Sequence, residues 1–263
     1  MKLRRKITLD IVVTSCLVNP LVFGDLDGKV SLAQGIPKYT SREKRELPAW
    51  ATQKHKTEHF IYYFSEQDKP NLKSLEAQEK HYEFFKKTFQ IEVPQQISYI
   101  KSPIKGSGGF VRRGYINSQW WFHPHEAVHF YLTSRNKFLR EGIAEAFGTT
   151  FYQGFRDFGK KTEINSEKLI SAIENFAKNE GESRYLANNF VRWLYFKEGS
   201  AKLVSLFRKS TSDLKGTEKV FLDVYKRNLQ TLAEQWINEQ EWLSKQQPPE
   251  GFFIYKPWTE EKK

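Results

Sequence analysis

Apolar positions follow two different rhythms along the chain. Before Pro124 they come in short runs bounded by turn residues. Residues 59–64, His-Phe-Ile-Tyr-Tyr-Phe, are an aromatic-rich strand candidate. Pro70 then opens a helix to about residue 89, because Leu72, Leu75, Tyr82, Phe85 and Phe89 recur at helical spacing. Residues 97–100 read as a short strand. Gly106-Ser107-Gly108-Gly109 marks a turn or loop, and residues 110–116 read as another strand.

After Pro124 the period is helical. Leu169, Ile170, Ile173 and Phe176 share one face of a helix that starts at Ser166 and stops near Gly181. Leu186, Phe190, Val191 and Leu194 mark the next, which ends at Gly199. Ser200 is the expected cap of a helix through Leu203, Val204 and Phe207, and Thr217 that of one through Val220, Phe221 and Val224. A last helix runs from about Leu229 through Trp236 to Leu243. Mixed elements first and helices afterwards predict an α+β fold, with a small N-terminal mixed-sheet lobe followed by a mainly α-helical lobe. Residues 34–57 are polar and contain Pro37 and Pro48, as a linker or extended arm would. The tail, 247–263, is expected either to pack on the surface or to stay loose.

The first 33 residues follow another logic. A basic start at residues 1–6, a mostly apolar stretch over 7–23 and Ser31-Leu32-Ala33 match a cleaved secretory signal peptide. The mature chain would then begin near Gln34 and be secreted or extracytoplasmic. Asp10, Asn19 and Pro20 interrupt the run and argue against a spanning helix. Val13-Thr14-Ser15-Cys16 resembles a lipoprotein cleavage box, so a lipid anchor on Cys16 is the alternative.

Composition narrows the chemistry. With 263 residues the chain has enough length for one sizeable core, and its many aromatic rings suit that core. Cys16 is the sole cysteine, so neither an intrachain disulfide nor a thiolate metal cage can form. Any metal must be held by histidine and carboxylate. The formal net charge is +11, of which residues 1–33 contribute +2, leaving +9 on a processed chain. That balance favours contact with an anionic cell surface, or simply a lysine-rich solvated exterior. No ribonucleoprotein signature, zinc-finger spacing or glycine-rich phosphate loop points to a specific nucleic-acid partner.

The candidate chemistry lies at His125-Glu126-Ala127-Val128-His129. Four residues apart on a helix, two imidazoles lie on one face and can meet one zinc ion. Glu126 points beside such an ion, where a carboxylate can take a proton from water. A catalytic zinc usually needs a third protein ligand. Glu141, 12 positions past His129, is the natural one, with a helix end near residues 134–136 between them. Glu145, one turn further on, can accept a hydrogen bond from the outer nitrogen of a ligating histidine. Pro124 places the motif at the very start of its helix or after a kink, so His125 would need support from Trp120, Trp121 or Phe122.

Together, His125, Glu126 and His129 with Leu139-Arg140-Glu141-Gly142-Ile143-Ala144-Glu145 resemble the gluzincin branch of the zincins, the peptidase MA-like metallopeptidases. The resemblance covers about residues 57–245, although only the two metal segments are specific. It implies a zincin-like fold over 58–246 with the active-site helix between its lobes, one zinc ion and hydrolysis of a peptide or protein substrate. Water activated by zinc would attack, with Glu126 as general base. A downstream tyrosine or histidine often stabilises the oxyanion in this family; Tyr185 is the best positional candidate and His123 a second. By analogy with the family, the strand over 109–116 would pair with an extended substrate. The rival expectation is a non-catalytic binding protein on the same scaffold, held at an anionic extracellular surface.

Overall fold

The computed structural model describes residues 47–104, 109–112, 114–154 and 164–256. The expected signal peptide and Cys16 lie outside them. Five short strands form one mixed sheet: β1 (Gln53–Lys56), β2 (Phe60–Phe64), β3 (Ile97–Lys101), β4 (Gly109–Arg112) and β5 (Tyr115–Ser118). Their order is β1-β2-β3-β5-β4. The two central pairings, β2 with β3 and β3 with β5, are parallel; both edge pairings are antiparallel.

Helix α1 (Leu72–Phe89) makes the crossover between β2 and β3. It begins where the Asn71 side chain accepts the amide of Ser74, and it ends at Gln90 in the left-handed region. Its buried face carries Leu75, Tyr82, Phe85 and Phe89, as the periodicity requires, but Leu72, the first residue of the helix, is exposed. The strands interleave with it: Phe60, Tyr62 and Phe64 are the buried half of β2.

The segment 110–116 is two strands rather than one. Gly114, at φ 83°, turns the chain so that Phe110 pairs with Asn117 and Val111 with Ile116. β1 lies inside the stretch expected to be a linker. Its sequence, Gln-Lys-His-Lys, has no apolar alternation; it is a charged edge strand held by pairing with β2.

The rest is helical: α2 (Pro124–Tyr131), α3 (Lys137–Ala144), a π turn (Glu145–Thr149) running into α4 (Thr150–Gln153), α5 (Ser166–Glu174), a 3-10 turn (Phe176–Asn179), α6 (Glu180–Glu198), α7 (Ser200–Lys209), α8 (Leu214–Tyr225), α9 (Leu229–Asn238) and α10 (Gln240–Ser244). The helix expected to run to Gly181 breaks at Asn175, and Gly181 falls in the first turn of α6. Asp213, not Thr217, caps α8 by accepting from the amide of Gly216. Thr217 is buried and donates to the carbonyl of Thr211. Ser200 is the first residue of α7, and Gly199, at φ 85°, precedes it.

Helix α6 is the spine of this half: Leu186, Phe190, Val191, Trp193 and Leu194 are buried in it. α3 lies against it through Gly142, where a Cβ would come 2.8 Å from the carbonyl oxygen of Ala187. The described part of the tail packs. The Tyr255 amide donates to the carbonyl of Phe151, and Phe252 and Phe253 lie against the Phe151 ring. No helix among the described residues is long and apolar enough to cross a membrane.

Candidate metal centre

Pro124 opens α2 as its first residue, where a missing N–H costs nothing. His125 therefore stands in the first turn and His129 in the last turn of a helix of eight residues. Such a helix end needs outside support, and the π turn supplies it. Gly148 lies against the backbone of His125, where a Cβ would meet Cα at 2.7 Å and N at 2.8 Å. One residue on, Thr149 Oγ1 is 2.9 Å from His125 Nδ1. That bond occupies Nδ1 and leaves Nε2 directed at Glu141.

Asn136 caps α3 through the amide of Leu139 and so starts the helix that carries Glu141. Glu141 Oε2 is 3.6 Å from His125 Nε2 and 3.7 Å from His129 Nε2. Bonds of about 2.0–2.1 Å at tetrahedral angles separate neighbouring ligands by about 3.3 Å. Both histidine nitrogens are thus within a few tenths of an ångström of that spacing from Glu141, all three donor atoms lie within 4.8 Å of one another, and His125, His129 and Glu141 form a group able to hold a metal ion. Two imidazoles and a carboxylate suit a divalent ion of borderline softness.

The electrostatics are those of a cation site. Burial pushes the Glu141 carboxyl up. Its bonds with His125 and His129 and the charges of His129 and Arg184 outweigh this and hold it well below the usual carboxylate range. His125 loses basicity to burial but gains more from Glu141, Glu145 and Glu126, and ends above its ordinary value. Burial lowers His129 despite its bond with Glu141. Glu126, buried beside the pair, is pushed up by desolvation, which suits a group that must accept a proton.

Around these residues lies a cleft of about 430 Å³. Its floor is α2, with His125, Glu126 and His129. One wall is β4, and the other is formed by Arg140 and Glu141 of α3 with Arg184 of α6. β4 comes close because residue 109 is glycine: a Cβ there would lie 2.0 Å from His123 Cε1 and 2.7 Å from Glu126 Cγ. A larger cavity, about 850 Å³, lies between α1 and the C-terminal segment and shares no lining residue with the cleft. Its rim carries lysines and glutamates of α1, with His59 held against Glu79 at 2.7 Å.

The structure brings His125, Glu126, His129 and Glu141 together. Glu145 is near, with Oε1 3.7 Å from His125 Nδ1, but Thr149 is the closer partner of that nitrogen. Tyr185 packs against the core and does not line the cleft. His123 is buried one residue before α2. Its Nδ1 is 2.9 Å from Ser118 Oγ, and burial, with the charges of His125 and His129, pushes its pKa down to about 3.

The residue with the most contacts among these acids is Arg184, which sequence reasoning missed. Its Nη1 lies 2.8 Å from Glu141 Oε2 and 2.7 Å from Glu145 Oε1, and its Nη2 lies 2.8 Å from Glu180 Oε1. One guanidinium thus fixes the third candidate ligand and its neighbour. No protein-family model and no curated protein matches the chain.

Proposed function

We propose that the chain is a zinc-dependent hydrolase of zincin-like fold, acting on peptide bonds. The observation that carries this reading is the convergence of His125 Nε2 and His129 Nε2 on Glu141 Oε2, with Glu126 beside them in a cleft edged by a strand. The likeness of the two metal segments to gluzincins supports the same reading. His125, His129 and Glu141 would hold one zinc ion. Zinc in such a setting acts as a Lewis acid, lowering the pKa of water and polarising a carbonyl.

The chain's own groups do the rest. Glu126 takes the proton of the attacking water and returns it to the departing amine. Thr149 fixes the orientation of the His125 ring, and Arg184 fixes that of Glu141. β4 is the last strand of the sheet, paired among the described residues only with β5. Its outer edge can take an extended peptide by strand addition and lay it over Glu126.

The test is elemental analysis of zinc content, followed by cleavage of a random peptide library with and without chelator. Glu126→Gln should keep zinc and lower turnover at least about a hundredfold, the scale of general-base catalysis. Zinc bound at unit stoichiometry with no chelator-sensitive cleavage would replace this reading with a non-catalytic binding protein.

A further inference from the structure

We infer that Arg140 is a specificity-determining residue that recognises a carboxylate on the substrate; the inference rests on the peptidase reading above. Among the described residues two guanidinium groups line the cleft, and they are not equivalent. Arg184 is saturated, with Nη1 shared between Glu141 and Glu145 and both Nε and Nη2 bonded to Glu180. Arg140 makes one contact among the described residues, from Nε to Glu141 Oε1 at 3.5 Å. The two outer nitrogens of its fork therefore remain for a ligand, and the side chain is 38 % exposed on the cleft wall.

Its position is close to the chemistry. Arg140 lines the same cleft as Glu126 and His129 of the α2 floor. Its only acidic contact among the described residues is also a candidate metal ligand. When Glu141 commits its charge to a cation, Arg140 is left as the least compensated charge in the cleft. A guanidinium fork matches a carboxylate in two parallel hydrogen bonds, which neither an amide nor a backbone carbonyl can reproduce. A peptide laid along β4 would turn alternate side chains to the α3 wall. A carboxylate there, from an aspartate or glutamate side chain or from the chain terminus, meets Arg140.

The experiment measures binding apart from turnover, so that it can fail separately from the peptidase reading. Zinc-loaded Glu126→Gln protein is titrated with three N-acetylated hexapeptides of alanine and leucine. One is a C-terminal amide with an internal glutamate. The second is the same amide with glutamine, and the third has glutamine and a free C-terminal acid. We expect the glutamate peptide, the free acid or both to bind at least about tenfold more tightly than the glutamine amide, as a charge-assisted pair allows. Which one does so identifies the source of the carboxylate. Adding Arg140→Gln should bring that ratio close to one, Arg140→Lys should retain part of it, and 0.5 M salt should shrink it. No binding, equal binding of all three peptides, or a ratio that survives Arg140→Gln would overturn the inference. Binding with the expected ratio but no cleavage by the unaltered protein would overturn the peptidase reading alone and leave the carboxylate site standing.

Discussion

Replacing glycine by alanine inside a helix normally stabilises it by up to about 1 kcal/mol, because the unfolded chain loses freedom. The structure makes this one substitution opposite in sign at two sites. At Gly181, in the first turn of α6, an added methyl meets nothing within 4 Å. At Gly148, in the π turn, it would meet His125 Cα at 2.7 Å, His125 N at 2.8 Å and the Pro124 carbonyl oxygen at 2.9 Å. All three are backbone atoms, so no rotamer change relieves the clash. The π turn and the start of α2 must separate by several tenths of an ångström. Overpacking of this kind costs about 1–3 kcal/mol, which exceeds the propensity gain. The same separation lengthens the 2.9 Å bond from Thr149 to His125 Nδ1 and turns Nε2 away from Glu141. Net of that gain, Gly148→Ala should cost about 1–2 kcal/mol and lower the melting temperature by about 2–8 °C, at roughly 2–4 °C per kcal/mol for a chain of this size. It should also weaken zinc binding about tenfold or more in a chelator competition, the usual scale for a lost orienting contact. Gly181→Ala should raise the melting temperature slightly and leave zinc affinity unchanged. If Gly148→Ala melts at or above the unaltered protein and binds zinc equally well, the contact between the π turn and α2 does not support His125.

Two further substitutions probe buried charge. His81 is fully buried on α1. Its Nε2 donates to the Phe147 carbonyl at 2.9 Å while Nδ1 has no partner among the described residues, and burial pushes its pKa down to about 4. Unfolded, it titrates near 6.5, so the unfolded chain holds more protons between pH 6.5 and 4 and stability falls as pH drops through that window. Denaturant melts of the metal-free protein at pH 7.5 and 5 should differ by about 2 kcal/mol more for the unaltered chain than for His81→Gln; equal pH dependence would mean that His81 is not held neutral. Arg184→Gln leaves Glu141 buried without its nearest cation. The metal-free protein should lose about 2 kcal/mol, discounted for the partial exposure of the arginine, and zinc should restore part of it by supplying charge. An unchanged metal-free melt would show that the contact carries no stability.

What the sequence disclosed and what it withheld divide along the range of the interactions. His125, Glu126 and His129 were legible because a helical period of four fixes their common face whatever surrounds them. Glu141 followed because Asn136 and a short connection leave the chain little freedom between the two helices. Thr149 was harder. In a regular α-helix a residue eight past Glu141 is rotated by about 80° from it, and only the π turn changes that rotation; such turns leave little trace in a sequence. Arg184 left none. It reaches Glu141 because α3 and α6 approach through Gly142, a tertiary contact with no local signature. β1 was missed for a related reason: Gln-Lys-His-Lys has no pattern of its own and takes its conformation from β2.

The cluster formed by Glu141, Glu145, Glu180 and Arg184 says something about what the fold is for. Glu141 is 6 % exposed where α3 packs on α6, whereas Glu145 and Arg184 are partly buried and Glu180 is exposed. Taking carboxylates and a guanidinium out of water there costs several kcal/mol per ion, and their mutual attraction seldom returns more than that. Between them Arg184, Arg140 and Lys137 pair with the three acids, yet Glu141 and Glu145 also point back at the imidazoles of His125 and His129. Arg184 neutralises enough of the cluster for the carboxylates to stay buried and in place, while Glu141 Oε2 still faces both imidazole nitrogens. The proposed bound cation would offset the cost of holding Glu141 out of water beside two imidazoles.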